Sequence, residues 1–225
     1  MHDTLKRRAD RDNRAGWKQN PEAVQANILR VAREEFAKNG LSGARVAEIA
    51  ARTETSKRMI YYYFGDKAGL YRHALEAAYR EVRAGEEELD LEGLAPEAAL
   101  KKLVEFTFDH HHRNPEFIRL VMIENIHHGS YLSQSQVIGD LNSGAIEHLG
   151  RVLDRGRRSG VFRPDADPLL VHWQISALTF FNVSNDATFS LIFGDGLSKP
   201  EGQKRLRRWV VETVLRSVLP ASEFG

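Results

Sequence analysis

Apolar residues recur along this chain at helical spacing, in blocks separated by short polar turns. Asn20-Pro21-Glu22 reads as a helix start, with a capping side chain, a proline at the first helical position and an early acid. Val24, Ile28, Val31, Ala32 and Phe36 then form one stripe, and Asn39-Gly40 predicts its end. Val46, Ile49 and Ala50 begin a second, shorter stripe that Thr53-Glu54-Thr55 interrupts. Ser56 supplies an N-cap hydroxyl for a third helix, in which Ile60 and Phe64 share one face. Asp66 is placed to cap a long helix from Lys67 to about Glu88, whose buried side carries Leu70, His73 or Ala74, Ala77, Ala78 and Val82.

Acidic residues break the period from Glu86 to Pro96, which predicts a linker. Pro96 and Asn114-Pro115 each restart a helix, the first with Leu100, Leu103, Val104 and Phe108, the second with Phe117, Ile118, Val121, Met122 and Ile126. A loop is expected over 129–135, then a long helix to about Gly160 with a basic, solvated end between Arg151 and Arg158. Asp167-Pro168 opens a helix that is apolar nearly all round through Trp173, Ile175, Leu178 and Phe181, so burial on more than one side is expected. After a loop over 194–202, a last helix reaches Leu219 with Leu206, Trp209, Val210, Thr213, Val214 and Val218 on one face. No segment reads as a strand. The expectation is an all-α protein of about nine helices, with a three-helix N-terminal domain and a helical C-terminal domain.

Composition narrows the chemistry. The chain has no cysteine, which excludes disulfides and thiolate sites. No apolar run is long enough to span a bilayer and residues 1–20 do not form a leader, so a cytoplasmic protein without a membrane partner is expected. The net charge of +1 conceals a basic front: residues 1–67 hold 14 Lys and Arg against 9 Asp and Glu, or +5, and the remainder sums to −4. A basic front suits a polyanionic partner.

The second and third helices supply the chemistry to meet one. A short helix bearing Lys57, Arg58, Tyr61 and Tyr62 away from its apolar face fits a DNA major groove, where Arg and Lys read base edges and tyrosine hydroxyls bind phosphate. The pattern predicts a helix-turn-helix reader. Three stretches carry a resemblance: ILRVAREEFAKNG (28–40), VAEIAARTETS (46–56) and IYYYFGDKAGLY (60–71) are similar to the N-terminal domain of TetR/AcrR-type transcriptional regulators, in the same order and spacing. Two positions depart from that pattern. Arg45 stands where the family has Thr or Ser, and Glu54 stands where it has Gly, which predicts a strained or reshaped turn.

The resemblance implies a ligand-responsive regulator, most simply a repressor, that binds a double-stranded operator and releases it when a small-molecule effector binds. It also implies a homodimer through the last two helices, and a phosphate contact for Lys67. The DNA-binding set is then Arg45, Ser56, Lys57, Arg58, Tyr61, Tyr62 and Lys67. The division expected is a basic arm (1–20), a reader (21–67), a ligand-binding and dimerisation domain (68–220) and a tail (221–225). For the effector, large apolar side chains interleaved with polar ones point to Phe106, His110, Arg119, Met122, Asn125, Ile126, Trp173, Gln174, Phe181 and Asn182.

Rival readings are an enzyme on the same helical frame and a DNA-binding protein without effector. His110-His111-His112 cannot converge on one metal ion, because neighbours on a helix diverge by about 100°. Asp109-His110 with Ser130 or Ser133 lacks a nucleophile elbow. No catalytic residue, cofactor or metal ligand is assigned.

Overall fold

The computed structural model describes residues 20–220; the rest of the basic arm and the tail at 221–225 lie outside the described residues. Ten α-helices and one 3-10 turn occur among them, and no strand. The helices are α1 (Pro21–Gly43), α2 (Val46–Arg52), α3 (Lys57–Phe64), α4 (Lys67–Glu87), α5 (Pro96–Arg113), α6 (Pro115–Ile126), α7 (Gln136–Arg158), α8 (Pro168–Ser184), α9 (Asp186–Phe193) and α10 (Pro200–Val218). The helix beyond the expected nine is α9, between α8 and the expected loop over 194–202.

The chain divides into two compact units, the first ending at Ala77 and the second beginning at Ala78, so α4 runs through the division instead of starting the second unit. In the first unit, Ile28, Val31, Ala32 and Phe36 of α1, Ile49 of α2, Ile60 and Phe64 of α3, and Leu70, Tyr71 and Ala74 of α4 are all buried. Phe36 and Tyr71 pack edge to face with ring centroids 5.1 Å apart. Gly40 has φ 68° and breaks α1, after which one more short turn follows before Ala44.

In the second unit α5 is central and packs on α6, α7, α8 and α10. Its Leu100, Leu103, Val104 and Phe108 join Leu149, Val152 and Leu153 of α7, Ile175 of α8 and Val210, Val214 and Val218 of α10. The arginines at the end of α7 are not simply solvated. Arg155 donates to the Leu91 carbonyl at 2.7 Å and also to that of Glu92, and Arg157 donates to the Ala166 carbonyl at 3.0 Å, so both tie loops to the helix. The expected loop before α7 contains a 3-10 turn, Leu132–Gln134, held by buried Glu124, which accepts from the Tyr131 and Leu132 amides at 3.2 and 2.9 Å.

α8 departs from the expected all-round burial. Only Val171, Ile175 and Thr179 are buried, whereas Leu169, Leu170, Trp173 and Phe181 are 53–70% exposed. Residues 170, 173, 177 and 181 lie on one face at intervals of three or four, which makes this an apolar stripe left exposed among the described residues.

Candidate DNA-reading surface and effector cavity

The reader is positioned from beneath. The buried carboxylate of Glu35 on α1 accepts from the Arg45 amide at 3.1 Å and from Asn39 Nδ2 at 2.9 Å. This fixes the start of α2, because Arg45 itself makes no side-chain cap. Thr53 then closes α2 by donating its hydroxyl to the Ile49 carbonyl at 2.7 Å. Glu54 does take the left-handed conformation, at φ 52°, so the turn keeps the shape that favours glycine. Ser56 Oγ accepts from the Met59 amide at 3.2 Å, so this hydroxyl sets the first turn of α3.

On α3, Ile60 and Phe64 point into the core. Lys57, Arg58, Tyr61 and Tyr62 are all exposed, Tyr62 at 77%. Two cations and two phenols thus project together from one short helix whose other side is locked. Asp66 caps α4 by accepting from the Gly69 amide at 2.7 Å. Lys67, in that first turn, donates to the Ser42 carbonyl at 3.1 Å, and Arg45 is exposed.

The second unit contains a cavity of about 450 Å³ walled by α4, α5, α6, α7 and α8. Tyr79 and Phe117 form an edge-to-face pair at 5.3 Å on one wall, and Trp173 and Phe180 contribute from α8. Arg83 is the polar centre. It pairs with Glu86 one turn along α4 and donates to Asn142 Oδ1 on α7 at 2.9 Å.

Of the expected ligand-binding residues, this cavity brings together Asn125 and Trp173. Arg119, Met122 and Asn182 line a separate hollow of about 370 Å³. Phe181 lies in an apolar groove among α8, α9 and α10 that Asn182 also borders. Gln174 accepts from the Ser217 hydroxyl at 2.7 Å, and Ile126 is 71% exposed. Phe106 packs against Gly85, where an added Cβ would sit 2.6 Å from its ring, and His110 lies beside it at 5.7 Å.

Two family models match. Residues 28–74 match "Bacterial regulatory proteins, tetR family", and residues 96–214, more than half the chain, match "Tetracyclin repressor-like, C-terminal domain". The chain belongs to the TetR family. It is 32% identical to the HTH-type transcriptional repressor NicS of Pseudomonas putida over 200 residues, covering 89% of this chain and 94% of that one. It is 28% identical to the HTH-type transcriptional regulator RutR of Escherichia coli K12 over 161 residues, 70% of this chain and 72% of that one. The fold is similar to that of a TetR family transcription regulator from Marinobacter aquaeolei, with a TM-score of 0.69, 17% identity, and 90% of this chain and 98% of that one covered.

TetR-family proteins are DNA-binding transcriptional regulators, not enzymes; they bind operators, are typically dimeric and answer to small molecules. The chain is therefore a DNA-binding regulator. The hydrolase arrangement has no counterpart in the structure. The Asp109 carboxylate is taken up by Arg207 of α10, at 2.9 Å from Nε and 3.0 Å from Nη2, while Ser130 and Ser133 donate to backbone carbonyls. No helix among the described residues is long and apolar enough to cross a membrane.

The cavity of this TetR-family chain is also lined by a histidine outside the expected ligand set. His111 is 7% exposed, and its pKa is pushed down to about 3 by burial, with His110 and Arg83 adding to the effect. His172 is likewise lowered, by burial and then by Arg83. Unfolded, an imidazole takes up a proton below about 6.5; in the fold His111 does so only near 3. Acidification from pH 7 to 5 therefore favours the unfolded chain, by about 2 kcal/mol at pH 5 from this group. Urea unfolding across that range is expected to show wild type losing stability faster than His111→Phe, and equal slopes would refute neutral burial.

Proposed function

We propose that the chain is a homodimeric repressor acting in the cytoplasm, which holds its operator through α3 and releases it when a small molecule occupies the α4–α8 cavity. The observation that carries this reading is the course of α4. Its first turn bears Lys67 and Gly69 beside the reader, and its later turns bear Tyr79, Arg83 and Glu86 on the cavity wall. A ligand pressing on Arg83 or Tyr79 acts on the helix that also seats α3. Coupling of this kind typically amounts to about 1–3 kcal/mol, a roughly 5- to 150-fold change in affinity.

In the complex, Lys57 and Arg58 meet base edges, Tyr61 and Tyr62 meet phosphates or bases, and Arg45 and Lys67 meet phosphates. Ser56 serves by capping α3. The partner copy seats on the α8 stripe and on Trp209 of α10, which is 55% exposed. Two readers then engage successive major grooves, about 34–36 Å apart.

Fluorescence anisotropy on a fragment of the regulator's own promoter tests the reader. Each lost phosphate contact flattens the log–log salt dependence by about 0.9. Lys67→Ala is expected to lower the slope by about that amount per subunit, and Tyr62→Ala to weaken binding about tenfold. Wild-type curves for both variants at every salt concentration would remove α3 as the reading helix.

A further inference from the structure

We propose that this cavity recognises an uncharged, planar ring compound carrying both a carbonyl-type acceptor and an N–H or O–H donor, the chemistry of a lactam. The proposal rests on reading the cavity as the effector site, and it names the ligand's chemistry.

Two wall residues carry a buried polar atom with no hydrogen-bond partner: Nε of Arg83 and Nδ1 of His111. Arg83 is committed on its other edge, with Nη1 on Glu86 and Nη2 on Asn142. Its Nε–H is a donor that needs an acceptor. The Thr179 backbone favours a proton on the His111 ring, and a neutral ring protonated towards it keeps a lone pair on Nδ1. That nitrogen needs a donor. The two needs are of opposite kind, so no purely accepting or purely donating ligand meets both.

Charge excludes the acids and amines that would satisfy one atom each. The Arg83 guanidinium already faces the Glu86 carboxylate, with both side chains about nine-tenths buried. His111 and His172 are held towards the neutral form, and Asn125, Asn142 and Tyr79 add dipoles without charge. A carboxylate ligand would bring a second negative charge beside Glu86, and Arg83, already paired with Glu86, is the one Lys or Arg among the described lining residues. An ammonium would meet Arg83. An uncharged acceptor takes the Arg83 Nε–H without disturbing the pair. Shape supplies the ring: Phe117 stands edge-on to Tyr79 at 5.3 Å and close to His111 at 5.8 Å, with Trp173 and Phe180 contributed by α8. About 450 Å³ holds one or two fused rings.

The test is calorimetric titration of the full chain at pH 7.5 with four two-ring probes. Carbostyril is a neutral lactam with both groups; quinoline only accepts, indole only donates, and naphthoate is the anion. Carbostyril is expected to bind at least about tenfold more tightly than each of the others, because each of them leaves one buried polar atom unmet. His111→Phe should erase its margin over quinoline and leave its margin over indole. Arg83→Met with Glu86→Leu, which removes both charges together, should do the reverse. Naphthoate binding as tightly as carbostyril, no probe binding at all, or margins unmoved by either variant would each overturn the proposal. The wild-type ranking decides the matter even where a variant does not fold. Carbostyril binding without operator release would sink the effector reading and leave this one standing. Operator release by naphthoate alone would do the opposite.

Discussion

Leu170→Glu is expected to convert the regulator to a monomer and to lower its operator affinity by about 10²–10⁴-fold, the amount that linking two binding modules typically contributes. Leu170 is 68% exposed on the α8 stripe, so within one chain the substitution removes little packing. Across a two-fold axis the same change occurs twice and places two carboxylates in an apolar interface. Burying an unpaired charge is far costlier than losing a leucine contact. Sedimentation should report a 25.5 kDa species in place of one twice that mass. Far-ultraviolet circular dichroism should be unchanged, since the buried side of α8, Val171, Ile175 and Thr179, is untouched. Phe181→Ser, at the other end of the stripe, should give the same outcome more mildly. If Leu170→Glu remained dimeric and held the operator like wild type, the stripe would not be the dimer contact.

What could be read from the chain beforehand follows from the range of the interaction involved. Helix starts were legible because their chemistry is local. Asn20, Ser56, Asp66 and Asp167 each accept from an amide three residues on, as their positions before helical periods imply. The reader was legible for the same reason: on an eight-residue helix, burying Ile60 and Phe64 forces Tyr61 and Tyr62 outward.

The cavity was not legible, because its wall is a tertiary product. Arg83 on α4 reaches Asn142 on α7, and nothing in either segment names the other. Helix phase matters at single-residue resolution. The expected ligand histidine, His110, lies beside Phe106, while His111, about 100° further round the same helix, is the one on the cavity wall. α9 was missed because it has no side-chain cap and buries nothing; Leu191, Ile192 and Phe193 are 70–86% exposed. The all-round apolarity of α8 was legible, but the sequence does not say whether its own chain or a second copy covers it.

Gly69→Ala is expected to cost the most stability for the smallest chemical change, about 2–3 kcal/mol, and to weaken operator binding by at least about tenfold. A Cβ at Gly69 would lie 2.1 Å from the Phe64 carbonyl oxygen and 3.3 Å from its carbon. The obstacle is backbone, so no rotamer change relieves it. Phe64 ends α3, is 5% exposed, and packs against His73 at 5.4 Å, while the Gly69 amide is held by Asp66. The methyl group must therefore push the end of α3 away from the start of α4, and Tyr61 and Tyr62 lie on that last turn. A shift of about 1 Å there is enough to misplace the side chains proposed to meet the groove. Gly43→Ala is the control, since its Cβ would make only an ordinary contact with Asn39 at 3.6 Å. Denaturant unfolding and operator anisotropy, run on both variants, should show Gly69→Ala losing in both measurements and Gly43→Ala in neither. A Gly69→Ala protein as stable as wild type would mean that α3 is not seated by this close approach, and the route from cavity to reader through the first turn of α4 would lose its mechanical basis.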